Sequence, residues 1–337
     1  MSVLDLIQDL LSDDRDRRYY AVQRLGQLRH PAALPALLDA LQDREWTMRV
    51  QVVNALAAMR STQALEPLTR QLTQDRSGNV RKAIVDALGA IGHESSVPAL
   101  VQVLRGSENQ RMRRAATKAL LQIRSDKAVD GFIEALRFDD NVYVRKAVVN
   151  ALGRIQGARA IRGIMEALAA DVSSYVRKFA AETLGNMGAI EAVDNLVEAL
   201  LSDECSYVRH AAAIALAKLR EPASVRGLLQ ALTEDDNSYV RWASAHALGT
   251  IKDSGAVPAL LQALAEDDNN YVRWAAAHAL WQMGEEAMEI ILVRLKHTDP
   301  EVRKIAFAGL SWLTVEDDGN YSAESLDTII NPGQWPN

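Results

Sequence analysis

The sequence has almost no cysteine and no long apolar segment, and both absences narrow the class of protein. Cys205 is the only cysteine in 337 residues, so no disulfide can form within the chain and a reducing compartment is expected. No apolar run reaches the roughly 18 residues that a membrane-spanning helix requires. Residues 1–14 carry four aspartates and lack the basic start and apolar run of a signal peptide. We therefore expect a cytoplasmic protein with no membrane partner.

Acidic residues outnumber basic ones, 44 to 38, and this balance limits the partners that the protein can bind. The net charge of −6 argues against a nucleic-acid partner, because phosphate binding needs concentrated positive charge. The chain has no P-loop, no glycine-rich dinucleotide fingerprint and no G-x-S-x-G motif. Cys205 follows Asp203 and Glu204, whose negative charges disfavour a reactive thiolate. The usual sequence signatures of nucleotide-dependent and nucleophilic catalysis are therefore missing.

What the sequence does contain is one unit repeated along nearly its whole length. Each period holds two stretches of helical apolar spacing joined by a short polar turn, and a leucine follows each repeated arginine by seven residues. The pattern predicts an all-α protein, a right-handed α-solenoid of about ten two-helix repeats of period 32, over residues 1–313. Residues 314–337 leave the period and are expected to form a C-terminal non-repeat tail. The repeated arginines are Arg18, Arg49, Arg81, Arg113, Arg145, Arg177, Arg209, Arg241, Arg273 and Arg303.

An aspartate stands six residues before most of these arginines, in the turn between the two helices. Its carboxylate can accept hydrogen bonds from the free N–H groups of the second helix, or from the guanidinium of its own or the next repeat. We interpret this Asp/Arg pattern as structural stitching between repeats and not as a catalytic device. The aspartates are Asp43, Asp75, Asp139, Asp171, Asp203, Asp235 and Asp267.

Positions one and five after each repeated arginine lie on one face of the second helix, off its apolar stripe. We expect them to line the inner groove, which changes from basic side chains in the middle repeats to indole and imidazole rings in later ones. Such rings indicate a binding site for a partner protein or a flat ligand; the alternative is that they only fill space between helices. The candidate binding residues are Tyr19, Arg114, Lys118, Lys146, Lys178, His210, Trp242, His246, Trp274 and His278, with Trp281 and Trp312 about one turn further along their helices.

His210, His246 and His278 fall in different repeats, so they are poor candidates for a shared metal ion. Neighbouring helices pack about 10 Å apart, whereas zinc holds its ligands at about 2 Å. We therefore predict no metal site.

A second row of aromatic residues stands two positions before the arginines of five consecutive repeats. These tyrosines lie at the start of the second helix, along one rim of the groove. They either pack between turns or present their hydroxyls to a partner. The residues are Tyr143, Tyr175, Tyr207, Tyr239 and Tyr271.

The repeats, such as residues 207–216, resemble the short HEAT-like repeats of phycobilin lyases, and Arg18-Tyr19-Tyr20-Ala21 resembles the start of the E/F-type lyases of the phycobilisome. The resemblance implies a lyase or chaperone that attaches a linear tetrapyrrole (bilin) to a cysteine of a phycobiliprotein subunit, with or without a second HEAT-like subunit. The bilin would be a substrate, with no cofactor bound permanently. Trp242 and Trp274 would stack on it, and His246 and His278 are the candidate catalytic acids or bases.

The rival hypothesis is a non-enzymatic scaffold or adaptor that mediates protein–protein interaction. Its indole and imidazole end would anchor an apolar segment of the partner, and its basic middle an acidic segment. A third HEAT-repeat activity, that of deoxyhypusine hydroxylase, is not expected, because that family binds iron through several His-Glu pairs and this chain has only His93-Glu94. The sequence leaves the lyase and the scaffold open.

Overall fold

A computed structural model describes residues 1–107, 109–294, 296–297, 300 and 303–307. The described residues form α-helices and short 3-10 helices, with no strand among them. None of the described helices is both long and apolar enough to span a bilayer. The chain divides into two compact units, the first covering Met1–Gly163 and the second beginning at Ile164. Trp312 and the predicted tail, 314–337, lie outside the described residues.

The helices alternate between a first and a second helix of each repeat, as the periodicity predicts. In the first unit they are α1 (Val3–Asp9), α2 (Arg15–Leu28), α3 (Leu34–Asp39), α4 (Trp46–Met59), α5 (Leu65–Gln74), α6 (Gly78–Ile91), α7 (Val97–Gly106), α8 (Gln110–Ile123), α9 (Val129–Phe138) and α10 (Val142–Ile155). The unit boundary falls within α11 (Ala158–Ala170). The second unit continues with α12 (Ser174–Met187), α13 (Val193–Ser202), α14 (Ser206–Leu219), α15 (Val225–Glu234), α16 (Ser238–Ile251), α17 (Val257–Glu266), α18 (Asn270–Met283) and α19 (Glu285–Arg294).

Short 3-10 helices complete the connections between repeats. One follows α3, at Ala40–Gln42, and the others each lead into a first helix. Most of those that lead into a first helix begin after an extended residue, and they often carry a proline or a small residue, which suits a tight turn. These segments are Pro31–Ala33, Thr62–Ala64, Glu94–Ser96, Asp126–Ala128, Ile190–Ala192, Pro222–Ser224 and Ser254–Ala256.

The second helices have sharp ends that the local sequence explains. At the start of α16, the side chain of Asn237 accepts the N–H of Tyr239 at 3.0 Å, which satisfies a helix N–H that has no partner within the helix. At its end, Lys252 takes a left-handed conformation with φ 62° and turns the chain toward the next repeat. Equivalent caps stand at Asn141 and Asn269.

Small residues let neighbouring second helices approach closely. A Cβ added to Gly249 on α16 would lie 2.6 Å from the Cα of Ala279 on α18, which is too close for any side chain. Gly185 on α12 stands in the same relation to Ala215 on α14, at 2.7 Å. The leucines seven residues after the arginines fill the core behind this contact, and Leu248 is fully buried. The second helices of the second unit therefore form a tightly packed layer.

Ion pairs join each turn to the next repeat. The Nε of Arg209 donates to Oδ2 of Asp235 at 2.7 Å and its Nη2 donates to Oδ1 at 3.0 Å, while its Nη1 donates to the carbonyl of Asp203 at 3.0 Å. Oδ1 of Asp235 also accepts the N–H of Asn237 at 2.8 Å. The same bidentate geometry recurs in the pairs Arg49–Asp75, Arg113–Asp139, Arg177–Asp203 and Arg241–Asp267.

We call this series of pairs the Arg–Asp ladder. Its direction differs from the expected one, since each carboxylate binds the guanidinium of the preceding repeat and not that of its own or the next repeat. The arginine of the same repeat instead donates to the main-chain carbonyl of the aspartate. Burial alone would raise the pKa of the Asp75 carboxyl, but hydrogen bonds from Arg49, Ser77 and Gln71 hold that pKa below its usual value.

We predict that Asp235→Ala lowers the free energy of unfolding by about 2–3 kcal/mol, because it leaves the largely buried Arg209 without its bidentate partner. The matched control is Asp236→Ala. The Asp236 side chain also contacts Arg209 but is 90% exposed, so the change should stay within about 0.5 kcal/mol. Urea denaturation of the two variants beside the unaltered protein measures both effects. Equal destabilisation by the two variants would contradict a structural role for the ladder.

Candidate binding surface

The indole and imidazole rings predicted from the repeat positions come together on one face of the second unit. We call them the ring row. The rings project from α14, α16 and α18. All but Trp281 stand one or five positions after the repeated arginine and are half-buried. Trp281 lies at the end of α18 and is 53% exposed. The members of the ring row are His210, Trp242, His246, Trp274, His278 and Trp281.

The rings stack on one another in two groups of three. Trp242 stacks between His210 and His246, with ring centroids 6.2 and 5.8 Å away and interplanar angles of 14° and 10°. His278 lies between Trp274, at 5.3 Å and 11°, and Trp281, at 5.8 Å and 30°. These separations fall within the usual range for favourable aromatic pairs. Sequence spacing placed the rings on one face but missed this mutual stacking.

The imidazoles of the ring row are held in the neutral form near pH 7. Burial lowers the pKa of His210, and the charge of Lys178 lowers it further against an opposing effect of Glu182. Burial alone lowers the pKa of His246. Burial and the neighbouring His246 lower the pKa of His278. The ring row therefore presents flat, uncharged rings with polar edges.

The predicted basic residues do not add a free cation to the ring row. Lys178 on α12 belongs to the second unit, but its ammonium lies 3.4 Å from the carboxylate of Glu182. Arg114 and Lys118 are exposed on α8 and Lys146 is half-buried on α10, all three in the first unit. The ring row and this basic group therefore belong to different units.

Tyr19, the remaining candidate, is half-buried on α2 in the first unit. The guanidinium of Arg15 lies 5.3 Å above the centre of its ring, a cation–π contact along the same helix. This contact gives Tyr19 a local packing partner of its own.

The tyrosines at the starts of the second helices are surface residues. Tyr207, Tyr239 and Tyr271 are 71%, 71% and 75% exposed, so their rings do not pack between turns. The backbone N–H groups of Tyr239 and Tyr271 are held by the capping asparagines. This position therefore contributes a helix start and an exposed ring in each of these repeats.

Metal chemistry gains no support from the side chains. Across the part of the chain that the structure describes, no group of three or more His, Cys, Asp or Glu residues is arranged to hold a metal ion. In the ring row the imidazoles alternate with indoles, and they stack face to face instead of converging on one point. The flat faces of these rings are suited to binding a ligand or a partner segment by stacking.

Comparison with known proteins identifies the family. The model for HEAT repeats matches overlapping segments of nearly the whole chain: 3–88, 65–152, 97–185, 129–217, 161–249, 193–281, 225–311 and 257–329. The chain belongs to the HEAT-repeat family, and its fold is the α-solenoid of that family. No curated protein matches the chain.

Solved structures agree on the fold. The karyopherin Kap121p, bound to the extreme C-terminus of the protein phosphatase Cdc14p, is 13% identical over 92% of this chain and 41% of its own, with a TM-score of 0.62. Importin beta is 17% identical over 91% of this chain and 50% of its own, with a TM-score of 0.57. Human deoxyhypusine hydroxylase in complex with glycerol is 24% identical over 74% of this chain and 96% of its own, with a TM-score of only 0.34.

The chain thus spans half or less of the two karyopherin chains that it matches. Identities this low show the fold alone. The family is HEAT repeat, and the finer phycobilin-lyase resemblance stays a hypothesis.

We predict that acidification destabilises the protein through the ring row. Because the folded-state pKa values of His210, His246 and His278 lie below the ordinary value of 6.5, the unfolded chain takes up protons first as the pH falls. This stability is fully present above pH 6.5 and is lost as the pH falls from there through the folded-state values. Thermal unfolding from pH 7.5 to 5 should show it, and His210→Gln, His246→Gln and His278→Gln combined should flatten that dependence. An unchanged slope in the triple variant would contradict it.

Proposed function

We propose that this HEAT-repeat protein is a non-enzymatic scaffold that holds a segment of a partner protein against the ring row. The observation that carries the proposal is the ring row itself: half-buried or exposed tryptophans and neutral histidines, stacked on one face of a packed helix layer. Surface helices ordinarily carry charged residues at such positions, and clustered tryptophans are typical of binding hot spots.

The chemistry of the ring row favours an apolar or aromatic segment of the partner. The rings offer broad flat contact, and the N–H edges of Trp242 and Trp274 can donate to backbone carbonyls of a bound segment. The stacked rings lose little side-chain freedom on binding, because their neighbours already hold them. Kap121p, which shares the fold, was crystallised with the C-terminus of another protein, and this supports a tail or helix as the partner element.

The decisive test replaces the indoles. We expect Trp242→Ala combined with Trp274→Ala to weaken a directly measured partner affinity by at least about 30-fold, as hot-spot tryptophans do. The partner is first recovered from extract, identified by mass spectrometry and purified, and its affinity is then measured by calorimetry.

Trp46→Ala is the matched control for this test. Trp46 is 47% exposed, similar to Trp281, but it lies at the first position of α4 in the first unit and is not part of the ring row. Its loss should leave the affinity unchanged. Equal affinity in the double variant, or equal loss in the control, would remove the ring row from the proposal.

A second candidate, a phycobilin lyase or bilin chaperone, is supported by the near-parallel rings. A bilin is a long flat π-system, and the ring planes within each group lie mostly within 14° of one another. In this proposal a phycobiliprotein subunit is the protein partner, with or without a second HEAT-like subunit, and the protein acts in the cytoplasm. The neutral His246 and His278 would exchange protons with the pigment, and Lys178, in the same unit, would meet a propionate.

We expect the purified protein to shift and sharpen the red absorption band of biliverdin at micromolar concentration if the bilin proposal holds. His246→Gln with His278→Gln should keep the band shift but lose transfer to a phycobiliprotein subunit, because stacking remains and proton exchange does not. Trp242→Ala should lose the band shift, and Trp46→Ala should keep it. An unaltered pigment spectrum with the unmodified protein would contradict this candidate while leaving the scaffold untouched.

A further inference from the structure

One repeat of the first unit lacks the aspartate of the Arg–Asp ladder. In the sequence, the residue 26 positions after a repeated arginine is an aspartate at seven junctions, and the bidentate pair is seen at five of them. The residue 26 positions after Arg81 is Ser107. Ser107 follows α7 as its C-terminal cap, the place that Asp75 and Asp139 hold after α5 and α9. Its hydroxyl accepts the N–H of Asn109 at 3.3 Å, so the turn is kept but the negative charge is missing.

Arg81 is nevertheless held as the other ladder arginines are. Its Nη1 donates to the carbonyl of Asp75 at 2.7 Å, the counterpart of the bond from Arg49 to the carbonyl of Asp43 at 2.7 Å. In Arg49, the remaining edge of the guanidinium, Nε and Nη2, binds the carboxylate of Asp75 at 2.7 and 2.9 Å. In Arg81, the same edge has no hydrogen-bond partner among the described residues, although the side chain is half-buried.

A pocket of about 520 Å³ opens beside Arg81. It lies between α5, α6, α7 and the start of α8, and Arg81 and Ser107 form part of its lining. Gly106 and Gly78 belong to its lining. The space around them is open, since a Cβ at Gly106 would meet nothing within 4 Å and one at Gly78 would lie 4.0 Å from Nη2 of Arg81. Thr69 and Thr73 add hydroxyl groups to the wall.

We propose that this pocket binds a carboxylate group, which the Nε and Nη2 edge of Arg81 receives in place of the missing aspartate. A guanidinium is always charged and its planar edge matches the two oxygens of a carboxylate. A half-buried edge without a partner among the described residues therefore favours such a ligand. The chain itself demonstrates this preference, because the equivalent edge binds a carboxylate at five other junctions. The site is independent of the ring row and lies in the other unit.

The carboxylate can belong to a protein side chain or to a small free acid, and the probes distinguish these sources. We would titrate the protein with a blocked tripeptide, acetyl-Ala-Asp-Ala-amide, with acetate, and with inorganic phosphate, and follow the Nε–Hε resonance of Arg81 by NMR. We expect saturable shifts with the aspartyl peptide, and none with acetyl-Ala-Asn-Ala-amide. Acetate binding as tightly as the peptide would assign a small acid as the ligand, and tighter peptide binding would assign a protein side chain.

Ser107→Asp provides the sharpest variant, since it restores the carboxylate found at the other junctions. It should weaken peptide binding at least about tenfold by occupying the guanidinium, and it should raise the melting temperature. Ser107→Asn is the matched control: it has nearly the same size but no charge, and it should retain peptide binding. Arg81→Gln should abolish binding, and the Ser107 pair keeps the test valid if that variant folds poorly.

Three results would overturn the proposal. The first is the absence of a saturable shift with every carboxylate, or a response to phosphate alone. The second is unchanged binding in Ser107→Asp. The third concerns Glu108, which lies outside the described residues: binding that appears only in Glu108→Gln would mean that the chain fills the site with its own carboxylate. Equal binding in Glu108→Gln and in the unaltered protein supports the pocket.

Discussion

The bidentate contact between an arginine of one repeat and an aspartate of the next sets the register on which the surfaces of this protein depend. Each ladder guanidinium also bonds a carbonyl in its own turn, and each carboxylate also caps its own turn, so one pair fixes two turns and their separation. In the second unit, the pairs Arg177–Asp203, Arg209–Asp235 and Arg241–Asp267 tie four consecutive second helices together. His210 and Trp242 are one period apart, and they stack only because this register is kept.

The ladder sets geometry more than it supplies stability. Burial of a leucine side chain contributes about 1.5–3 kcal/mol, and each repeat buries several leucines and alanines completely. A largely buried ion pair gains much less over a well-packed apolar pair, because removing two charges from water offsets most of their attraction. The hydrogen bonds of the ion pair are directional, so they form in only one alignment of neighbouring turns. Contacts between leucine side chains do not impose such an alignment. Apolar packing therefore holds the layers together, and the Arg–Asp pairs decide how they align.

The sequence predicts the repeats well because their signals are local and recur many times. The arginine and leucine periods give the helix pairs, and the alternation of polar and apolar positions puts Trp242 and His246 on one exposed face. The direction of the ladder was not predictable. Asp235 lies six residues before Arg241 and 26 after Arg209. Only the packing of α15 against α13 and α16 brings its carboxylate to Arg209 and its main-chain carbonyl to Arg241. The ring stacking likewise depends on side-chain rotations that no spacing encodes.

The two candidate sites arise from changes at different positions of the same repeat, one outside the Arg–Asp ladder and one within it. The ring row uses positions outside the ladder, where the fold imposes no residue type, so indoles and imidazoles can accumulate without loss of register. The Arg81 pocket comes from a change within the ladder. Replacing a carboxylate by Ser107 removes one of two paired charges, and the arginine that remains cannot become neutral. The hydrogen bond from Arg81 to the main-chain carbonyl of Asp75 still orients the guanidinium for a carboxylate. Loss of the aspartate therefore leaves a site selective for a carboxylate without any further change.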